Sequence, residues 1–220
     1  GFRPGATNQG ADGNIHLHVK SGGLLLQAGG GSGSHAQVGH GGNGSTDGNH
    51  HLGDIAISLC EPGDVSVLGG GAQSYAQIGH GGLSLKASHR GDVFIGGTGS
   101  GGQAGEILLQ SGTAGYAYTQ IGHGGGNVSG IPYQGGDASG SLWIESAGKV
   151  TVSASGYGAY SQIGMGGLVN SQGSYGLAGD RIVVIAENGI EVSGGTAGWS
   201  HAQIGHGGYQ SGGASKSHYG

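Results

Sequence analysis

Short runs of alternating apolar and polar residues recur along the chain. Examples are GDIAISL at 53–59 and GKVTVSA at 148–154. Alternation with a period of two, rich in β-branched residues and bounded by Gly, Asp or Asn, predicts short half-buried β-strands. No segment carries the apolar stripe of a helix, and the high glycine content disfavours one. We therefore predict an all-β fold without α-helix.

One octapeptide recurs five times along the chain, at nearly equal spacings. Two alternating runs precede each copy, so one repeat of about 41 residues is predicted to hold three short strands. The copies are HAQVGHGG at 35–42, YAQIGHGG at 75–82, YTQIGHGG at 118–125, YSQIGMGG at 160–167 and HAQIGHGG at 201–208. The five predicted repeats span about 1–42, 43–82, 83–125, 126–167 and 168–208, and residues 209–220 would begin the next inter-repeat loop.

Three strands that return to the same residue types describe one coil of a single-stranded parallel β-helix, or β-solenoid. The usual hand of parallel crossovers predicts that it is right-handed. An alternative is two coils of about 20 residues per repeat, with LSLKA at 83–87 as a fourth strand. The segments expected to protrude as loops are 43–52, 83–90, 126–139 and 168–178, with an insertion at 96–104.

Stacked repeats would place equivalent octapeptide residues above one another as ladders. The predicted apolar ladder is Val38, Ile78, Ile121, Ile163 and Ile204. A ladder of small residues with the same parity is Ala36, Ala76, Thr119, Ser161 and Ala202. The predicted amide ladder, in which each side chain bonds to the next coil, is Gln37, Gln77, Gln120, Gln162 and Gln203.

An aromatic series shares the parity of the glutamines and should lie on the same face. Its rings are predicted to stack on one another, and the alternative is an exposed stripe that binds sugar rings or a partner surface. The series is His35, Tyr75, Tyr118, Tyr160 and His201.

A second series in the octapeptide contains soft-metal ligands. A ladder that binds Cu, Ni or Zn is one interpretation. The flanking glycines favour the other, a corner where imidazoles cap backbone groups or stack, and no carboxylate accompanies them to orient the rings. We therefore predict no metal and no cofactor. The candidates are His40, His80, His123, Met165 and His206.

Composition narrows the class of protein. Of 220 residues, 59 are glycine and 9% are charged, which is unusual for a globular enzyme. Because glycine loses the most backbone entropy on folding, such a chain needs regular hydrogen bonding, and disorder is the alternative. The recurring Ile, Val and Leu residues supply a core and favour the ordered solenoid.

Charge and hydropathy exclude two kinds of partner. The formal net charge is −5, and the seven Lys and Arg residues stand singly, so no basic patch exists for a nucleic acid. The longest apolar runs, such as 182–186, fall far short of the about 20 residues that span a bilayer.

Cys60 is the single cysteine, so no intrachain disulfide is expected, and it should pack as a small apolar side chain.

The GDI-x-I and G-x-V-x-V strand pairs resemble the β-helical repeats of filamentous haemagglutinin-like proteins, large bacterial exoproteins exported by type V secretion. The resemblance covers residues 13–208. It implies a passive shaft at the bacterial cell surface, with adhesive or toxic activity elsewhere, and an extracellular location.

The ends of the chain bear on its assembly. About a dozen loop-like residues precede the first strand and follow the last octapeptide, and no polar cap is visible. We therefore expect a fragment or subunit of a longer array. Its partners would be neighbouring copies or further repeats of the same protein end to end, and also host or surface glycans.

The predicted function is a non-catalytic shaft of a secreted or cell-surface filamentous adhesin. One alternative is a self-assembling extracellular fibre whose subunits stack end to end. Another is a polysaccharide-active β-helix enzyme, which would need clustered acids in a groove. Because the acidic residues mark strand starts or turns, as at Asp54, Asp64, Asp92 and Asp180, we predict that the chain is not an enzyme.

Overall fold

The computed structural model describes residues 10–43, 50–83, 87–97, 103–126, 136–167 and 174–208. These residues form β-strands, turns and bends and contain no helix, which confirms the all-β prediction. In chain order the strands are β1 (Ala11–Asp12), β2 (Ile15–Val19), β3 (Leu24–Gln27), β4 (His35–Val38), β5 (His50–Leu52), β6 (Ile55–Leu59), β7 (Val65–Leu68), β8 (Tyr75–Ile78), β9 (Ser88–Arg90), β10 (Val93–Gly97), β11 (Ile107–Gln110), β12 (Tyr118–Ile121), β13 (Ala138–Ser139), β14 (Leu142–Ser146), β15 (Val150–Ser153), β16 (Tyr160–Ile163), β17 (Ile182–Ala186), β18 (Ile190–Ser193) and β19 (His201–Ile204).

The strands form four sheets, and neighbouring strands pair in parallel throughout the described residues. This stacked parallel arrangement agrees with the predicted β-solenoid. Sheet I is β1-β5-β9-β13, sheet II is β2-β6-β10-β14-β17, sheet III is β3-β7-β11-β15-β18 and sheet IV is β4-β8-β12-β16-β19.

Each strand pairs with the corresponding strand of the neighbouring octapeptide repeat. Gln77 lies beside Gln37 on one side and Gln120 on the other. Two coils per repeat would instead pair strands within one repeat, and the described strands show no such pairing. Residues 84–86 of the LSLKA segment lie outside the described residues. We call three consecutive strands of sheets II, III and IV a coil, from coil 1 (β2–β4) to coil 5 (β17–β19).

Sheet I was not predicted, because the sequence analysis expected three strands per coil. Three of its strands, β5, β9 and β13, fall in segments that were expected to be loops. They carry few aliphatic residues, and their inward positions are instead filled by His51, His89 and Ala138, which are buried and in register. A pattern search that relies on alternating aliphatic residues does not detect such strands.

The core lies between the sheets and follows the alternation in the sequence. In β6, for example, Ile55, Ile57 and Leu59 are buried while the residues between them are half-exposed. Fully burying one such side chain contributes about 1.5–3 kcal/mol to stability. None of the described segments is a helix of the length and apolar character needed to cross a bilayer.

Cys60 does not pack as expected. Its side chain is exposed at the end of β6, where Sγ lies 3.2 Å from Nε2 of His18. The residue follows Leu59, whose side chain points inward, so the alternation of the strand places the thiol outside.

Candidate functional site

The octapeptide strands of coils 2, 3 and 4 are buried on both faces, unlike the half-buried strands that alternation predicts. One face of β8, with Ala76 and Ile78, joins the aliphatic core. The opposite face, with Tyr75 and Gln77, is covered because the chain turns back over it after the strand: Gln77 bonds to His80, and Tyr75 packs with Leu83.

The glutamine side chains join each coil to the next through the backbone. Nε2 of Gln120 donates to the carbonyl oxygens of Gly164 at 2.9 Å and Gly166 at 3.0 Å in the next coil, and to His123 O at 3.1 Å in its own. Gln37, Gln77 and Gln162 repeat the pattern. The amide thus bonds to the neighbouring backbone and not to the neighbouring amide.

The glycines of the octapeptide allow this close contact between coils. Gly79 has φ of 152°, and a Cβ there would lie 1.9 Å from the carbonyl oxygen of Gly122. A side chain at this position would therefore collide with the backbone of the next coil. Gly53 and Gly91 form a second such column, at the turn before sheet II: a Cβ on Gly91 would lie 1.9 Å from Gly53 O.

The octapeptide histidines connect these two glycine columns. The backbone N–H of His40 donates to Nδ1 of His80 at 2.9 Å, and His80 N–H donates to Nδ1 of His123 at 2.8 Å. Because Nδ1 accepts, the proton of each neutral ring is on Nε2. Nε2 of His80 then donates to Gly53 O at 2.7 Å, and Nε2 of His123 donates to Gly91 O at 2.8 Å.

This arrangement uses both nitrogens of His80 and His123 for the backbone. Their rings stack, with centroids 4.7 Å apart and planes 5° from parallel. Burial lowers the pKa of His80, and it lowers the pKa of His123 to about 3. The nitrogen lone pair that a metal ion would need already accepts a hydrogen bond. Across the described ranges, no group of three or more His, Cys, Asp and Glu residues could hold a metal ion.

Met165 takes the histidine position in coil 4 and performs part of the same role. The backbone N–H of His123 donates to Sδ of Met165 at 3.2 Å, and the backbone N–H of Met165 donates to Nδ1 of His206 at 3.2 Å. The thioether is a weak acceptor and has no donor, so it replaces the Nδ1 contact but not the bond from Nε2.

The aromatic series stacks along sheet IV. The ring centroids of Tyr75 and Tyr118 are 4.9 Å apart, those of Tyr118 and Tyr160 are 4.7 Å apart, and both pairs lie within 4° of parallel. The end rings, His35 and His201, stack on Tyr75 and Tyr160 respectively. All three tyrosines are buried, so their ring faces contact each other and do not form an exposed binding stripe.

A second histidine pair, which sequence analysis missed, lies in sheet I. The rings of His51 and His89 stack 5.1 Å apart, and their Nδ1 atoms are 3.1 Å apart, so one donates to the other. Burial lowers the pKa of His51 to about 4 and holds that of His89 well below its ordinary value. The sequence signal was the shared spacing of His51 and His89 before the next Gly-Asp turn.

Acidic residues at strand starts bond to the backbone of the next coil. Asp54 N–H donates to Oδ1 of Asn14, and Asp92 N–H donates to Oδ1 of Asp54, each at 2.9 Å. Ser141 N–H donates to Oδ1 of Asp92 at 2.7 Å. These carboxylates therefore stabilise the turn before sheet II.

Comparisons of the chain with protein-family models, curated proteins and solved structures give no match. The function must therefore be inferred from the geometry. In the described residues, the glutamine Nε2 groups and the ring nitrogens of His80 and His123 bond to backbone groups of their own and the neighbouring coil. The chemistry of this site is that of a repeated hydrogen-bonded joint between coils.

Proposed function

We propose that the chain is a non-catalytic structural shaft, a right-handed solenoid built from the five octapeptide repeats, within a secreted or cell-surface filamentous adhesin. The observation that carries this proposal is the joint itself: Gln120, His123 and their equivalents use their side chains to bond neighbouring coils. Such a joint adds each coil in the same way as the last, which suits a long rigid rod.

The resemblance to filamentous haemagglutinin-like exoproteins supports the same proposal. It would place the chain outside the cell, at a bacterial surface, as the passive part of a larger protein. The enzyme alternative receives no support from Asp54 and Asp92, because their side chains accept hydrogen bonds from the next coil.

A second candidate is a fibre whose subunits stack end to end. Val150 and Val152 of β15 are fully buried, but their register partners in coil 5, Ile190 and Val192, are 48% and 45% exposed. Exposed apolar side chains on an edge strand favour contact with another strand. In this candidate, that strand belongs to a second copy of the chain.

Electron microscopy of native material, with light scattering of the purified chain, tests both candidates. A covalent shaft predicts rods of fixed length that persist at low protein concentration. Stacked subunits predict filaments whose length falls on dilution. Aligned filaments of either kind should give a strong fibre-diffraction reflection at about 4.8 Å along the fibre axis. Soluble monomers alone, with no rods in native material, would contradict both.

A further inference from the structure

Three aromatic residues reach the surface at the corner between sheets III and IV. Tyr116, Tyr157 and Trp199 occupy this corner in coils 3, 4 and 5. The ring centroids of Tyr116 and Tyr157 are 5.8 Å apart, and those of Tyr157 and Trp199 are 5.0 Å apart. Tyr157 is 46% exposed and Trp199 is 48% exposed. We call this set the corner aromatics.

The corner aromatics differ from the buried ladders in how their rings are arranged. The planes of Tyr116 and Tyr157 are 87° apart, and those of Tyr157 and Trp199 are 42° apart. The buried tyrosines of sheet IV are within 4° of parallel. The corner rings therefore do not form the parallel stack that joins coils elsewhere. Tyr157 and Trp199 turn ring surface toward solvent, and Tyr116 is half-buried against the tyrosines of sheet IV.

Two of these aromatics stand where glycine would be less strained. Tyr116 has φ of 60° and Trp199 has φ of 62°, in the left-handed region. Glycine takes the same position in coils 1 and 4, as Gly33 and Gly158, and Gln73 takes it in coil 2. Strained backbone of this kind is often kept at functional sites.

The backbone beneath the corner aromatics is fixed by bonds between coils. Tyr116 N–H donates to Tyr157 O, and Gly158 N–H donates to Gly198 O, both at 2.9 Å. The Tyr116 ring lies over Gly158, where a Cβ would be 2.7 Å from the ring. A ligand would therefore meet rings held on a rigid support, which lowers the entropy cost of binding.

The turn segments that carry the corner aromatics are uncharged. Residues 111–117, 154–159 and 194–200 include no Asp, Glu, Lys or Arg, and Thr113, Ser155 and Thr196 in them are exposed. A nucleic acid would need cationic side chains here. Aromatic rings beside neutral hydroxyls suit a ligand that has both apolar faces and hydroxyl groups, and sugars have this chemistry.

We propose that the corner aromatics bind a neutral glycan chain that runs along the solenoid axis, with successive sugar rings on Tyr116, Tyr157 and Trp199. This goes beyond a passive shaft and does not depend on whether the shaft is covalent or stacked.

Native affinity electrophoresis of the whole chain tests the proposal, in gels that contain dextran, galactomannan, xyloglucan or hydroxyethylcellulose. At least one of these neutral polysaccharides should slow migration, and Trp199→Gly combined with Tyr157→Ala should weaken the retardation about tenfold. Both substitutions use residues found at these positions in other coils, Gly158 and Ala72. Trp199→Gly also relieves the left-handed strain, so the variant should stay folded by circular dichroism.

Gln73→Gly is the matched control, because it relieves the same strain without removing an aromatic ring and should leave the retardation unchanged. A second measurement uses Trp143→Phe, which leaves Trp199 as the single tryptophan. The retarding polysaccharide should then change its fluorescence. Three results would overturn the proposal: no retardation by any neutral polysaccharide, retardation by polyanions such as alginate alone, or equal retardation of the folded double variant.

Discussion

The backbone N–H of His40 donates a hydrogen bond to Nδ1 of His80, at 2.9 Å. The donor and acceptor are far apart in the chain, yet they are neighbours between stacked coils. The same imidazole donates from Nε2 to Gly53 O, so a single side chain satisfies backbone groups in two coils and at two corners. This bond requires a neutral ring, and the stability of the solenoid should therefore depend on pH.

Acid should destabilise the solenoid between about pH 6.5 and about pH 3. In this window an unfolded histidine with the ordinary pKa of 6.5 binds a proton, but buried His123, with its pKa lowered to about 3, does not. The unfolded state binds more protons, so stability falls as pH falls, by about 1.4 kcal/mol per pH unit for each such histidine. Urea unfolding at pH 7, 6 and 5 measures this slope.

His123→Met is the control for the pH effect, because Met165 shows that the next coil accommodates methionine at this position. The variant should be less stable at pH 7, since it loses the bond to Gly91 O, but its stability should change less between pH 7 and pH 5. An unfolding midpoint that does not move over this range in the parent protein would contradict the role given to the histidines.

Gln120→Met should destabilise the protein by about 1–3 kcal/mol, the cost of leaving a buried carbonyl without its donor. Methionine is close in shape but cannot donate to the carbonyl oxygens of Gly164, Gly166 and His123. Gln110→Met is the matched control, because it makes the same change in the same coil at a side chain that is exposed at the end of β11. The urea midpoints should differ, with the smaller loss at Gln110. Equal losses would mean that the bonds between coils contribute little.

Gly79→Ala should prevent stable folding, with a loss above about 4 kcal/mol, because the new methyl group would lie 1.9 Å from the carbonyl oxygen of Gly122. Gly30→Ala is the control: a Cβ there meets nothing within 4 Å, so its stability should be unchanged or slightly raised. Circular dichroism and limited proteolysis of the two variants measure the contrast. A folded Gly79→Ala protein would contradict the close approach of the coils.

Asp54→Ala should cost about 1 kcal/mol, because the N–H of Asp92 loses its acceptor at a partly solvated turn. Asp54→Asn should restore most of this, since Asn14 already accepts the equivalent bond from Asp54 with an amide oxygen. The test is the thermal midpoint of the two variants. If the thermal midpoint of the Asp54→Asn variant falls as far as that of the Asp54→Ala variant, the charge of Asp54 and not its acceptor oxygen stabilises the turn.

The register between coils could be predicted because the octapeptide copies can be aligned with one another residue by residue. Gln77 and Gln120 stand in copies that are nearly identical in sequence, and stacking identical segments leaves little choice of partner. The strands of sheets II and III were also predictable, since Ile55, Ile57 and Leu59 alternate with small or polar residues. The repeated octapeptide is enough for the register, and local alternation is enough for the strands, because alternation shows which face of a strand each side chain occupies.

The buried aromatic face and sheet I could not be predicted in the same way. Tyr75 and Gln77 have the alternation of an outward face, and their burial depends on residues that follow the strand and turn back over it. His51 and His89 look like loop residues until they stack in register. The corner aromatics were missed as well, because Tyr116 and Trp199 lie in turns, outside every alternating run.

By itself, then, the sequence determined the strand pattern, the repeat and the partners of each ladder. The tertiary structure alone decided which polar side chains are buried, where the imidazole protons lie, and that each glutamine bonds to backbone. The physical reason is that strand formation follows from neighbours in the chain, whereas the burial of Gln120 or His123 depends on a carbonyl or N–H group of another coil, distant in sequence and brought close only by stacking.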